Sequence, residues 1–193
     1  MLYVGVDEAG YGPLLGPLVV GAAALRLIDE PTPGTTDLRA QLKGLVVRHP
    51  RDARASAAKR LPVPVDDSKA IHRRFGLPGL ARGFGVFTSA MNVAPPANLE
   101  DLIVRFSDRE PKEFAIHPWY RRLSHAPVPR YPWTGPLDGR FEARGIQALD
   151  LRVLPLCAAD YNAHVTEYDN KATVLGLASG MCLLSILDRY PAE

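Results

Sequence analysis

The sequence predicts an α/β fold with a hairpin, a third strand and a covering helix, in which either the sheet is small or the chain is cut before its next strand. Three observations predict it. A β-rich run, Leu2–Asp7, and a second apolar run, Leu18–Leu25, are joined by a Gly/Pro-rich turn. A third strand pattern covers Leu151–Cys157. The last segment, Asn170–Tyr190, carries apolar residues at helical spacing.

Bulk properties set the class. At 193 residues the chain holds one ordinary domain, and two are not required. With 47% hydrophobic and 23% charged residues the composition is globular, not disordered. The 18 prolines, about twice the usual share, predict long irregular loops beside the packed part. The net charge of +2 does not select a partner. The clusters Arg51-Arg54, Lys59-Arg60 and Arg73-Arg74 could face phosphate, although solvated surface is the commoner role of such clusters. Cys157 and Cys182 lie far apart in apolar segments, with no CxxC pair or zinc spacing, and read as buried, reduced thiols of a cytoplasmic protein. The N-terminus enters a strand directly, without the basic and apolar regions of a signal peptide, and no apolar run is long enough to span a bilayer.

Along the chain, the first two strands form a hairpin, with antiparallel pairing expected across Gly10–Pro17. Thr35-Thr36-Asp37 then start a short helix with Leu38, Leu42 and Leu45 on one face. After an Arg/Ala-rich loop come Pro62–Val65 and the polar group Asp66-Asp67-Ser68-Lys69. Pro78 is placed to open a helix in which Leu80, Phe84, Phe87 and Met91 recur, against the weakening effect of Gly83 and Gly85. Residues 92–149 are Pro-rich and thinly apolar, and read as an insertion on the surface of a single domain spanning 1–193. Within them Leu99, Leu102, Ile103 and Phe106 mark one short amphipathic helix. Pro155 favours an edge or a bulge for the third strand. In the final helix Val174, Leu177, Met181, Leu184 and Leu187 line one side, and Gly176, Ala178 and Gly180 permit close packing.

Asp7 and Glu8 are the strongest local chemistry. Two acids at the end of a buried hydrophobic strand need compensation, and hard divalent cations take carboxylate oxygens. Neighbouring strand residues point to opposite faces, so both serve one metal only if the strand breaks or bulges there. The spacing equally suits Asp7 as a turn cap and Glu8 as a solvated side chain. The Gly10-Tyr11-Gly12 loop lets backbone N–H groups approach phosphate or sugar oxygens, and an ordinary hairpin turn has the same composition. Asp67-Ser68-Lys69 offers a hydroxyl and an ammonium, which also form simple helix caps and surface ion pairs.

Taken together, the run Gly5-Val6-Asp7-Glu8-Ala9-Gly10-Tyr11-Gly12-Pro13 through Gly16-Pro17-Leu18-Val19-Val20 resembles the opening of the ribonuclease HII family. Asp67-Ser68-Lys69 is similar to that family's Asp-Ser-Lys at a helix start, and Asn170-Lys171 to its loop feeding a long helix. The resemblance implies a ribonuclease H-like fold, a mixed sheet with flanking helices that is incomplete at its C-terminal end, and an endonuclease that cuts the RNA strand of RNA/DNA hybrids, or beside a ribonucleotide embedded in duplex DNA. It implies Mg2+ or Mn2+ held by four carboxylates, one ion generating the attacking water and the other stabilising the leaving oxygen. Asp7 and Glu8 match the first two, and Gly10, Tyr11 and Gly12 match the loop that contacts the ribose 2′-OH. Ser68, Lys69 and Lys171 are candidate substrate contacts, with Lys69 a point charge for phosphate. Two departures stand out. Tyr11 replaces the family's arginine, and the chain ends at Glu193, where the strand bearing the third carboxylate is expected. Neither Asp188 nor Glu193 fits that pattern, so weak metal binding and poor cutting are expected of this chain alone. No protein partner is evident. The alternative is a nucleic-acid-binding relative without hydrolysis, with Trp119, Trp133 and nearby arginines as a stacking platform. The plainer role for those tryptophans is to pin the insertion to the domain.

Overall fold

The computed structural model describes residues 1–9, 16–28, 37–47, 62–129 and 139–191. They form two compact units. The first comprises Met1, Arg26–Pro95 and Pro129–Ala148, and the second Leu2–Leu25, Pro96–Val128 and Leu149–Glu193. The protein is of α/β class, with helices and a three-stranded sheet ordered β1-β2-β5 from strands β1 (Leu2–Ala9), β2 (Leu18–Leu27) and β5 (Ile146–Leu156).

The pairing is antiparallel. The Leu27 N–H donates to the Met1 carbonyl at 2.9 Å, joining the start of β1 to the end of β2. Just beyond β2, the Ile28 N–H donates to the Gly145 carbonyl at 2.8 Å, while Gly21 in the middle of β2 lies against the Arg152 carbonyl in the middle of β5. The hairpin pairing expected from the Gly/Pro-rich turn is therefore present. The turn itself, including Gly10, Tyr11 and Gly12, lies outside the described residues.

In the second unit, period-two alternation buries Leu18, Val20, Ala22 and Ala24 of β2, and Leu154 and Leu156 of β5. That face carries α6 (Lys171–Leu187), which contributes Val174, Ala178, Cys182 and Ile186. Here the structure corrects the expected packing face. Of the anticipated stripe only Val174 is buried, while Leu177, Met181, Leu184 and Leu187 are exposed. A Cβ added at Gly176 or Gly180 would meet nothing within 4 Å, so no neighbour packs closely on either glycine. The helix is apolar on almost every side, and the sheet takes the narrower stripe at i, i+4 spacing because small Ala178 and Cys182 let the backbone come near.

Asn170 caps α6, its side-chain oxygen accepting from the Ala172 N–H at 2.8 Å. Before it, a stretch to which the sequence assigned no element is the helix α5 (Ala158–Tyr168), ended by Asp169 in left-handed conformation. α5 meets the α6 core only through half-buried Tyr161 and Val165, too short a stripe to mark a helix in sequence. β5 also starts earlier than expected, at Ile146, and Pro155 lies on a strand with one sheet neighbour, as its missing N–H favours.

The part of the Pro-rich segment in this unit contains α3 (Leu99–Phe106) and α4 (Pro111–Phe114). Asn98 caps α3 through the Asp101 N–H at 2.9 Å, and Glu110 with Glu113 forms a capping box on α4. Ile103 and Phe114 are buried with Cys157, and Tyr120 and Leu123 pack against them. The segment thus supplies a small core of its own, where thin apolar content predicted a surface excursion.

The first unit contains α1 (Leu38–Gln41), the two-residue parallel pair β3 (Val46–Val47) and β4 (Val63–Pro64), and α2 (Ser68–Ala90). Asp37 caps α1 as expected, accepting from Arg39 N–H at 2.9 Å. The helix is one turn, however, and Leu42 and Leu45 are buried in the turn that follows it. α2 begins at the Asp67 cap and is broken at Gly76, whose φ of 65° only glycine adopts readily. The second stretch of α2 thus restarts at the expected Pro78. Its buried positions are Gly79, Arg82, Gly85, Val86 and Thr88; Leu80, Phe84, Phe87 and Met91 are only half-buried.

Candidate functional site

Asp7 and Glu8 end β1 in the second unit. The strand is half-buried from Leu2 to Val4 and exposed from Gly5 to Ala9, so the premise of a buried acid pair is corrected. β1 is the last strand of the sheet order, and among the described residues nothing covers its far end. Both carboxylates keep their water, and no cation is needed to offset desolvation. Among the described residues neither is ion-paired; the Asp7 Oδ1 accepts the Glu8 N–H at 2.9 Å.

Leu2 and Val4 pack with the α6 core. On the alternation of a regular strand, Glu8 shares their face and Asp7 lies on the other with Tyr3. Each face therefore offers one carboxylate. These are hard, hydrated oxygen ligands that suit Mg2+ or Mn2+, ions that retain waters and take one or two carboxylates beside substrate phosphate. Among the described residues no three His, Cys, Asp or Glu side chains converge into a metal site.

The other expected contacts are distributed as follows. Lys171 opens α6 in the second unit and is exposed. Ser68 and Lys69 open α2 in the first unit, with Lys69 exposed, and the Asp67 carboxylate caps that helix through the Ala70 N–H at 3.0 Å. The helix-cap role that the sequence allowed for Asp67 is thus realised. Gly10, Tyr11 and Gly12, and the clusters Arg51-Arg54 and Lys59-Arg60, lie outside the described residues.

A polar cluster in the second unit was not anticipated. Arg152, 4% exposed in the middle of β5, donates to Asp108 and, at 3.2 Å, to the Ser185 hydroxyl of α6. The Ser185 hydroxyl donates to the second Asp108 oxygen, and Arg189 lies 3.5 Å from Asp108 and 4.0 Å from the buried Asp150. Burial pulls the Asp108 carboxyl upward. The Ser185 hydrogen bond and the charges of Arg152 and Arg189 outweigh it, leaving a net shift below the ordinary carboxylate value. A cleft of about 210 Å³ opens beside the cluster, with Asp108, Arg109, Arg152, Leu154, Met181 and Cys182 in its lining. The Arg152 guanidinium is already occupied, so the cluster ties α6 to β5 and is not an open anion site. A buried arginine amid an alternating strand was its only sequence signal, and its partner lies 44 residues upstream.

Cys157 and Cys182 are both free and buried, as expected, and burial pushes both thiols above their ordinary value. Among the described residues no single helix is long and apolar enough to cross a membrane. Comparison of the chain with protein-family models, curated proteins and solved structures finds no match.

Proposed function

We propose that the protein is a divalent-metal-dependent endonuclease of ribonuclease HII type, acting on the RNA strand of RNA/DNA hybrids or at ribonucleotides embedded in DNA. The observation that carries the reading is the pair Asp7 and Glu8, solvent-accessible at the end of β1 and followed after Ala9 by Gly10-Tyr11-Gly12. The antiparallel β1–β2 pairing, the capped start of α2 at Asp67-Ser68-Lys69 and the start of α6 at Asn170-Lys171 support it. They fall in the order of the motifs that the sequence shares with that family.

In this reading Asp7 and Glu8 hold Mg2+ or Mn2+, which supplies an activated water and charge neutralisation at the leaving oxygen. The backbone of Gly10–Gly12 approaches the ribose, and Tyr11 offers a ring and a hydroxyl where an arginine would offer charge. Lys171, in the same unit as the two acids, contacts phosphate as a point charge. Two carboxylates on alternate strand faces make a weak site, so millimolar metal is the appropriate assay condition.

The test is cleavage of a labelled DNA duplex containing one ribonucleotide, beside an RNA/DNA hybrid, in Mn2+ or Mg2+, with Asp7→Asn as control. Slow, metal-dependent cutting at millimolar metal that disappears in Asp7→Asn is the expected result. Cutting that survives Asp7→Asn, or no cutting with either substrate and metal, overturns the proposal.

A further inference from the structure

Trp119 does not pin its segment to the domain. It is 68% exposed, as is Ile116, in the turn that contains the 3-10 helix Pro118–Tyr120. The anchoring is done by its neighbours. Tyr120 packs on the buried group Ile103, Phe114 and Cys157, meeting the Phe114 ring edge-on at 6.4 Å. His117 stands edge-on to Tyr120 at 5.9 Å, and Trp119 lies flat on His117, with ring centres 5.3 Å apart and an interplanar angle of 18°. The Trp119–Tyr120 contact is edge-on at 72°, so the second face of the indole is open to solvent. The result is a large ring held flat by a rigid underlayer, with its outer face bare.

The turn itself carries charge of one sign. From Ala115 to Pro129 the chain carries Arg121, Arg122, His117 and His125 and no acidic residue. Arg121 and Arg122 are both exposed. The nearby acids of α4 are engaged elsewhere, Glu113 with Arg109 and Glu110 with Lys112. The Arg121 side chain donates to the Ala115 carbonyl at 3.4 Å, beside Ile116 and His117. A bare aromatic face in a turn that also carries two exposed arginines matches a nucleobase attached to a phosphate backbone better than a purely apolar protein surface.

We infer that Trp119, supported by His117 and flanked by Arg121 and Arg122, is a stacking site for single-stranded nucleic acid. The site is independent of the metal reading of Asp7 and Glu8, because stacking and phosphate contact require no divalent ion. The indole covers one base, and the two arginines contact the adjoining backbone phosphates. Bases are taken by their π-face, so the site is tolerant of sequence.

The experiment is fluorescence anisotropy of labelled 12-mer oligo-dT and oligo-U against the whole chain in EDTA, at low and moderate salt. Trp119→Ala, Trp119→Phe and the double variant Arg121→Ala/Arg122→Ala are compared with wild type, with far-UV circular dichroism confirming the fold. Stacking on one base predicts roughly tenfold weaker binding in Trp119→Ala and substantial recovery in Trp119→Phe. The double arginine variant is expected to weaken binding and flatten its salt dependence. Binding that is unchanged in folded Trp119→Ala overturns the inference. So does absence of binding by wild type up to about 100 µM, the weak end of non-specific affinities, which would leave the exposed Trp119 and Ile116 to a protein partner. Because no metal is present, failure here leaves the cleavage test untouched, and failure of cleavage leaves this one standing.

Discussion

The exposed side of α6 yields the most direct structural prediction. Gly176 and Gly180 lie inside a helix, where glycine is about 1 kcal/mol less favourable than alanine because the unfolded chain loses more freedom on ordering. An ideal Cβ at either position meets nothing within 4 Å, so no steric term opposes the gain. Gly180→Ala is expected to stabilise the protein by about 0.5–1 kcal/mol, and Gly176→Ala by about the same. Together they are expected to raise Tm by roughly 2–6 °C for a chain of this size. Gly79 in α2 is the internal contrast. An added Cβ there would sit 2.5 Å from the Phe75 Cβ and 3.1 Å from an Ile71 methyl, so Gly79→Ala should destabilise by about 1–3 kcal/mol through overpacking. Urea titration followed by circular dichroism measures both signs in one experiment. Destabilisation by Gly176→Ala or Gly180→Ala would refute the reasoning, because it would require a neighbour packed closely on the glycine side of α6.

Two further outcomes follow from the polar cluster and the cysteines. Asp108→Ala removes the carboxylate from the nearly buried Arg152 but leaves Ser185, and Asp108 is itself 58% exposed. The expected loss is therefore about 1–2 kcal/mol, below that for breaking a fully buried pair. Because the folded carboxyl is shifted down, its contribution is present above the unfolded value near pH 4 and is lost as pH falls through the lower folded value. A urea series from pH 7 down to about pH 3 should show wild type and Asp108→Ala converging only in the acid limb; convergence already near neutrality would contradict this assignment. Cys157 and Cys182, buried and with raised thiol values, should react with a thiol reagent only on unfolding, and fast labelling of the native chain would contradict their placement.

What was legible in the sequence is what depends on residues close together. The Asp37, Asp67 and Asn170 caps each bond an N–H within three positions, so composition alone locates those helix starts. The β1–β2 pairing and the terminal place of β5 were likewise foreshadowed by a Gly/Pro turn and by Pro155. What was not legible depends on distant partners. The buried stripe of α6 is selected by the sheet beneath it, and a helix with leucines on most sides gives periodicity no phase. α5 rests on the core through half-buried Tyr161 and Val165 alone, a two-residue pattern too short to identify a helix. Ile103, Phe114 and Cys157 form a core only because the start of α5 returns to a segment more than 40 residues earlier.

The same distinction bears on the candidate site. Asp7 and Glu8 are adjacent in sequence, and their pairing as metal ligands was an inference from adjacency. A strand turns adjacency into opposition, since the Leu2 and Val4 side chains fix the face that Glu8 follows and Asp7 leaves. The two carboxylates therefore reach one ion only if the backbone departs from regular strand geometry between Asp7 and Glu8 themselves, both of which lie within β1. The exposure of Gly5–Ala9 leaves such a departure unopposed by packing. The proposed metal site thus depends less on the acids than on the backbone that joins them.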